Sequence, residues 1–337
     1  KRRRHMRTMK HFASGLRTIA IASAGAMVFA ASANATDKMI DSIHFLIPGG
    51  AGGGWDGTAR GTGEALTKSG LVGSASFENM SGGGSGKAIN YLIENAASSK
   101  GTLMVNSTPI IIRSLVGRFP HNFRDLTMIA GTIGDYAALI VKKDSPITDL
   151  KDLIARFNAN PRSIKVGGGS VPGGMDHLVA AMIFKAAGAD ANKVKYIPYD
   201  TGGKLNAAIL AGEVTVGSTG FSEAIGLTKA GEMRVIALTA PERLEALPEA
   251  PTVKEQGYDV EFVNWRGFFA APGLPADTAE TYRNVIAAMY ETKEWDEVRN
   301  RNGWVNIHNS GDDFTKFLED QESTIKSLMI ELGFIRK

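Results

Sequence analysis

The chain contains no cysteine. That excludes a disulfide framework, a thiol nucleophile and thiolate metal sites, and leaves stability to hydrophobic cores, which roughly 300 residues suffice to build once or twice. Histidine is scarce: beyond residue 35 only His44, His121, His177 and His308 occur, without an H-E-x-x-H or another close ligand cluster, so no metal is expected. No serine sits in a G-x-S-x-G elbow. Ser170, Asp176 and His177 therefore read as a helix cap and a structurally satisfied histidine rather than as a hydrolase. No catalytic residue and no cofactor are assigned, and the chain is not expected to be an enzyme. Repeats of 20 to 50 residues and long low-complexity segments are absent too.

Long apolar runs are confined to the N-terminal region. Lys1, Arg2, Arg3, Arg4, Arg7, Lys10 and Arg17 make a basic start, residues 18–31 are apolar or small, and Ala33-Asn34-Ala35 has the small-x-small form of a signal peptidase site. The run is too short to span a bilayer, which needs about 20 residues. The expectation is a signal peptide over 1–35, cleaved after Ala35, and a protein of the bacterial periplasm. Without that leader, 31 Lys and Arg stand against 35 Asp and Glu. The basic pI thus belongs largely to the leader, and no nucleic-acid surface is expected.

What remains alternates short apolar runs with amphipathic stretches, the pattern of an α/β protein. Strands are expected over 42–47, 74–79, 102–106, 137–142, 163–167, 195–198, 214–218 and 234–239. Helices are expected over 55–68, 85–95, 109–116, 149–158, 174–187, 204–211 and 222–230. After Thr239 the text turns rich in proline and aromatics, then gives long helical patterns over 277–292 and 312–332. In the last, Phe314, Phe317, Leu318, Ile325, Leu328 and Leu332 recur near a 3.6 period and imply one packed face.

Glycine is abundant where a strand would turn into a helix: residues 49–57, 81–86, 167–174 and 201–203. Such turns lie at the carboxyl ends of strands, where open sheets bind ligands, and each following helix offers unpaired N–H groups and a partial positive charge. Two turns fall in each half of the chain. Two facing α/β lobes would bring all four to one cleft suited to an anion. Residues 52–57 also match G-x-G-x-x-G, with Glu78 about twenty residues on, which keeps a dinucleotide-binding oxidoreductase as the alternative. Against it, Trp55 and Asp56 stand where a pyrophosphate must approach, and a carboxylate there repels phosphate. "SGGGSGKA" fails as a P-loop, having Ser81 for the first glycine and Ala88 for the magnesium-binding hydroxyl.

At these residues the sequence resembles the periplasmic solute-binding proteins of tripartite tricarboxylate transporters, the TctC or Bug family. "PGGAGGGWDGTAR" is similar to the family's first ligand loop, "ENMSGGGSGKAINYL" to the second, "GGGSVPGGMDHLVAAMI" to the third, "PYDTGGKLNAAILAGEVTVGSTGFSE" to the fourth, and "LPEAPTVKEQGYDVEFVNWRGFFAAPGLP" to a segment crossing between lobes. The resemblance implies a bilobed α/β periplasmic-binding-protein fold, with 36–138 and 264–337 as one lobe and 139–263 as the other, and hinge closure on a small di- or tricarboxylate. Citrate is the first choice, because "GGGWD" and "NWRG" look most like the tricarboxylate branch. It further implies a monomer that delivers ligand to large and small integral membrane subunits.

The ligand residues it implies are Gly54, Trp55 and Asp56; Ser81, Gly83 and Gly84; Ser170, Gly173, Gly174, Asp176 and His177; and Thr201, Gly202 and Gly203. Asp56 is expected to cap N–H groups or to meet a bridging water or ligand hydroxyl. Lys204 either adds charge for an anion or is a solvated helix-start lysine. Arg266 either reaches a ligand carboxylate, or makes an interlobe salt bridge or packs against Trp265, which is itself expected to plug the space between lobes. Ser81 in place of proline, the extra residue at Val171-Pro172 and Lys204 in place of glutamate are departures from the family pattern.

Overall fold

A computed structural model describes residues 38–117 and 119–336. The expected signal peptide and its cleavage point lie outside the described residues.

Strand β1 (Ile40–Ile47) leads into helix α1 (Gly54–Lys68), followed by β2 (Val72–Asn79), α2 (Gly86–Glu94), β3 (Thr102–Ser107) and α3 (Thr108–Leu115). A 16-residue strand, β4 (Thr127–Lys142), comes next. Then follow α4 (Leu150–Ala159), β5 (Lys165–Gly168), α5 (Met175–Ala186), β6 (Lys195–Pro198), α6 (Gly202–Leu210), β7 (Val216–Gly220), α7 (Phe221–Lys229) and β8 (Met233–Leu238). The chain closes with β9 (Val263–Ala270), α8 (Ala276–Met289), α9 (Lys293–Asn302), β10 (Val305–Ser310) and α10 (Gly311–Glu331).

The fold is bilobed α/β. In one part β1 runs parallel to β2 and β3, and β9 is antiparallel between β3 and β4. In the other, β5 runs parallel to β6 and β7, and β7 and β8 are antiparallel to β4. β4 serves both: Thr127 to Tyr136 pair with β9, whereas Ala137 to Lys142 pair with β7 and β8. Parallel strands joined through helices place the β1–α1, β2–α2, β5–α5 and β6–α6 turns at strand carboxyl ends, the end at which ligands bind such sheets.

β1 reads as a central strand because its second half is buried on both faces. Phe45, Leu46 and Ile47 are fully buried, with Phe45 stacked on Phe77 at 5.5 Å and tilted against Phe268. Truncating such a phenylalanine costs about 3–5 kcal/mol, transfer and cavity together. On α10, Phe314, Leu318, Ile325 and Met329 are buried, which is the expected one-sided stripe.

Three elements are absent from the sequence reading. β9 lies in the stretch read only as a crossing segment, yet seven of its eight residues are buried and it pairs on both edges. α9 carries only Trp295 and Val298 as buried residues, so its apolar signal is weak, although Thr292 caps it by accepting the Trp295 N–H at 3.2 Å and Gly303 ends it at φ 67°. β10 is short, polar and bulged against β4.

Candidate functional site

The four glycine turns meet around a cleft of about 890 Å³. Each turn is shaped by local chemistry. In the first, Gly49 packs under the Trp55 indole, where a Cβ would stand 3.0 Å from the ring, and Trp55 Nε1 donates to Ser107 Oγ at 2.9 Å. Gly53 caps α1 without a side-chain bond; its own N–H goes to the Gly50 carbonyl, and the Gly54 N–H is directed at the Glu223 carboxylate. Gly54 and Trp55 line that cleft.

Asp56 is turned away from it. The residue is 6% exposed, and its carboxylate accepts from Gly52 N (3.0 Å), Arg60 Nε (2.8 Å) and Asn79 Nδ2 (3.0 Å). It borders a separate small hollow with Ser222 and Trp304. The same contact takes up the Gly52 N–H that a pyrophosphate would need in a dinucleotide turn.

In the second turn Gly82, Gly83, Gly84 and Ser85 all have positive φ. Among the described residues Ser85 is the one non-glycine in that region, and such a conformation costs of order 1–3 kcal/mol. Such a run of positive φ is open to glycine and brings the backbone of this turn to the cleft without intervening side chains. Ser81, Gly83 and Gly84 line the cleft, and Arg113 passes beside the turn, its Cδ 3.2 Å from where a Gly84 Cβ would be.

The third turn is bound to its own helix. Ser170 Oγ accepts the Asp176 N–H at 3.1 Å, Tyr196 donates to the Ser170 carbonyl at 2.8 Å, and His177 Nδ1 accepts the Gly173 N–H at 3.1 Å. Burial holds His177 below the usual histidine range, and its ring stacks on Tyr196 at 4.4 Å. His177 thus braces the turn and is not in the cleft lining, whereas Ser170, Gly173, Gly174 and Asp176 are.

In the fourth turn the Thr201 hydroxyl caps α6 by accepting the Lys204 N–H, and Thr201 and Gly202 line the cleft. Gly203 lies outside the lining, against the Gly52 carbonyl. Lys204 is largely exposed and pairs with Asp200 at 3.2 Å. Asp200 also accepts from Ser81 Oγ at 2.9 Å, so these two bonds hold its carboxyl below the usual range and join the second turn to the fourth. Thr201 packs on Gly50 and Gly53 from the first turn.

Arg266 lines the floor and is 2% exposed. Its Nη2 meets Asp135 at 2.8 Å, and Nη1 donates to Thr58 Oγ1 at 3.2 Å. Asp135 is wholly buried and also accepts both the N–H and the hydroxyl of Ser222 at the start of α7. Strand alternation sends Asn264 and Arg266 to the cleft and Trp265 to the opposite side. Trp265 packs with Phe269, Phe314 and Phe317 in the core and does not plug the cleft.

Sequence reasoning missed Asn264, Arg113, Asp200 and Glu223, and the approach of Phe334 to Arg336 to the cleft. Two of the lining acids are perturbed. Asp176, 3% exposed, is pushed up to about 8, first by burial and then by Glu223. Burial likewise raises Glu223, with Arg266 acting in the opposite direction. A four-residue step from Thr219 places the Glu223 carboxylate on that hydroxyl at 2.8 Å, but nothing local in the sequence points either acid at the cleft.

Among the described residues no group of His, Asp and Glu could hold a metal ion, and no helix is long and apolar enough to cross a membrane.

Comparison with known proteins supports the same reading. The sequence profile described as tripartite tricarboxylate transporter family receptor matches residues 63–334. A UPF0065 protein of Bordetella pertussis is 23% identical, covering 93% of this chain and 96% of its own. Among solved structures, Rpa4515 of R. palustris with adipate superposes with a TM-score of 0.78 at 21% identity, covering 87% of this chain and 97% of that one. MatC of Rhodopseudomonas palustris with bound malate gives 0.76 at 18%, covering 86% and 98%. The dinucleotide alternative finds no support in these comparisons. With its glycine turns gathered on one cleft and the receptor profile spanning residues 63–334, the chain belongs to the TctC family of periplasmic solute-binding receptors, a family of binding proteins rather than enzymes.

Proposed function

We propose that this protein captures a small di- or tricarboxylate in the periplasm and delivers it to the membrane subunits of a tripartite tricarboxylate transporter. The observation that carries this reading is the convergence of four glycine-turn helix starts on one cleft. Oriented N–H groups and helix dipoles attract an anion without a dedicated cation, and glycine lets the ligand approach the backbone. The malate bound to MatC and the adipate with Rpa4515 fit the same size class. Citrate remains the choice favoured by the "GGGWD" and "NWRG" motifs, while the lining holds Asp176, Asp200 and Glu223 alongside Arg113, Arg266 and Arg336.

The ligand is held by Gly54, Trp55, Ser81, Gly83, Gly84, Ser170, Gly173, Gly174, Thr201 and Gly202, with Asp56, His177 and Gly203 supporting their turns from behind. The lobes are 36–138 with 264–337 and 139–263, and they close as a hinge on a monomer. The change of β4 partners at Tyr136 and Ala137 supports that division. Calorimetry of the purified chain against citrate, malate, succinate, adipate, an aromatic carboxylate and NAD tests the proposal. Saturable binding of a carboxylate without NAD binding is expected; tight NAD binding with no carboxylate bound would overturn it. Solution scattering should show a smaller radius when ligand is bound.

A further inference from the structure

The cleft contains more buried acceptors than the protein supplies with donors. Asp176 and Asn264 are each 3% exposed, both line the cleft, and the Oδ1 of each has no hydrogen-bond partner. A buried carboxylate oxygen left unmet is costly, and native proteins keep such groups where a ligand or water completes them.

Charge is out of balance in the same place. Asp176 and Glu223 act on each other as like charges, and Arg266 is the cation that acts on both. Arg266 is already committed to Asp135 at 2.8 Å. Three carboxylates therefore share one fixed guanidinium. Arg113 and Arg336 also line the cleft, but neither is among the main influences on Asp176 or Glu223. The Tyr196 hydroxyl is used on the Ser170 carbonyl, and His177, beside Asp176 on α5, is held toward its neutral form with Nδ1 accepting from Gly173. Ser170 and the Gly169 N–H favour the ionised form of Asp176 but add no charge.

We propose that Asp176, with Asn264 and Glu223, forms an ammonium subsite, so that the captured molecule is a small carboxylate that also carries a primary amino group. An ammonium brings three donors and one positive charge, which is what the two unmet oxygens and the excess of carboxylates lack. The ligand carboxylate is left to the glycine turns, so the inference rests on the carboxylate-receptor reading and narrows it. It carries a proton signature. With its carboxyl pushed up to about 8, Asp176 must ionise to hold the ammonium. Binding then releases a proton, and affinity for the amino ligand rises with pH up to about 8. A ligand lacking the amino group shows the opposite slope, because the ionised wall repels it.

The test is calorimetry of the full chain against matched pairs: glutamate with glutarate, aspartate with succinate, leucine with 4-methylpentanoate, alongside citrate, malate and adipate. In at least one pair the amino member is expected to bind about tenfold tighter or more, with the stated pH slope. Asp176→Asn should abolish that advantage while leaving the des-amino partner as tight or tighter. The wild-type pairs need no variant, so a folding defect in Asp176→Asn cannot mask the result. If every des-amino member binds as well as its partner, or the variant weakens both equally, the ammonium subsite is overturned and the carboxylate reading stands. If nothing with a carboxylate binds, both fall.

Discussion

The two walls of the cleft are written in the same sequence pattern and present different side chains. Around α1 and α2 the turns bring mostly glycine backbone to the cleft, and the one acid of the first turn, Asp56, is turned outward into bonds with Gly52, Arg60 and Asn79. Around α5, α6 and α7 the turns are equally rich in glycine, but Asp176, Asp200 and Glu223 all line the cleft. A strand, a glycine turn and a helix therefore make a place for a ligand without fixing its charge. The sign is set by side chains that the turns position.

Arg266 stands between the walls, so replacing it should have the largest effect. Arg266→Met leaves Asp135 buried and unpaired beside the α7 start, a loss of about 3–5 kcal/mol in denaturant unfolding. Combining it with Asp135→Asn should restore much of that. A loss that persists in the double variant would show that Arg266 acts through packing rather than charge.

Next in size are the glycines that admit the opposite wall. A Cβ on Gly54 would stand 2.2 Å from Arg266 Nη2, and one on Gly202 would stand 2.3 Å from Glu223 Oε1. Arg266 Nη2 is held by Asp135 and the Glu223 carboxylate by Thr219 through its other oxygen, so Gly54→Ala and Gly202→Ala should each cost about 1–3 kcal/mol by urea unfolding. Full stability in either would mean that the walls stand further apart in solution.

Asp176 sharpens the contrast with a gain. A carboxyl raised to about 8 keeps its proton in the fold, and stability is lost as pH rises from the ordinary carboxylate range through 8. Asp176→Asn removes that dependence. Its melting temperature should exceed that of the wild type by roughly 2 °C or more at pH 8, and the gap should shrink toward pH 5. A gap that is constant across pH would assign the effect to shape. The smallest effect is expected from Asp56→Asn: about 1 kcal/mol lost, with carboxylate affinity unchanged. Tighter carboxylate binding in that variant would show that Asp56 faces the ligand after all, and the contrast between the walls would weaken.

The turns were legible because their signal is local. A glycine cluster after an apolar run marks a strand end and a helix start within ten residues, and all four predicted helices begin within two residues of those observed. The charge of the second wall was not legible, because it depends on pairings distant in sequence. Arg266 meets Asp135 across 131 positions through the register of β4 and β9. Reading residues 263–270 as a crossing segment also concealed the period of two that sends Asn264 and Arg266 one way and Trp265 the other. The α9 segment was missed for a simpler reason, since two buried apolar residues in ten leave little periodicity to find.

The central claim is that a small carboxylate sits between these walls with its charge against backbone N–H groups. The most direct measurement is a crystal structure of the chain grown with the tightest carboxylate found by calorimetry. The account predicts ligand carboxylate oxygens about 3 Å from N–H groups at the starts of α1, α2, α5 or α6. A carboxylate bound outside the cleft, or one lying against Asp176 and Glu223 with the glycine turns untouched, would contradict it.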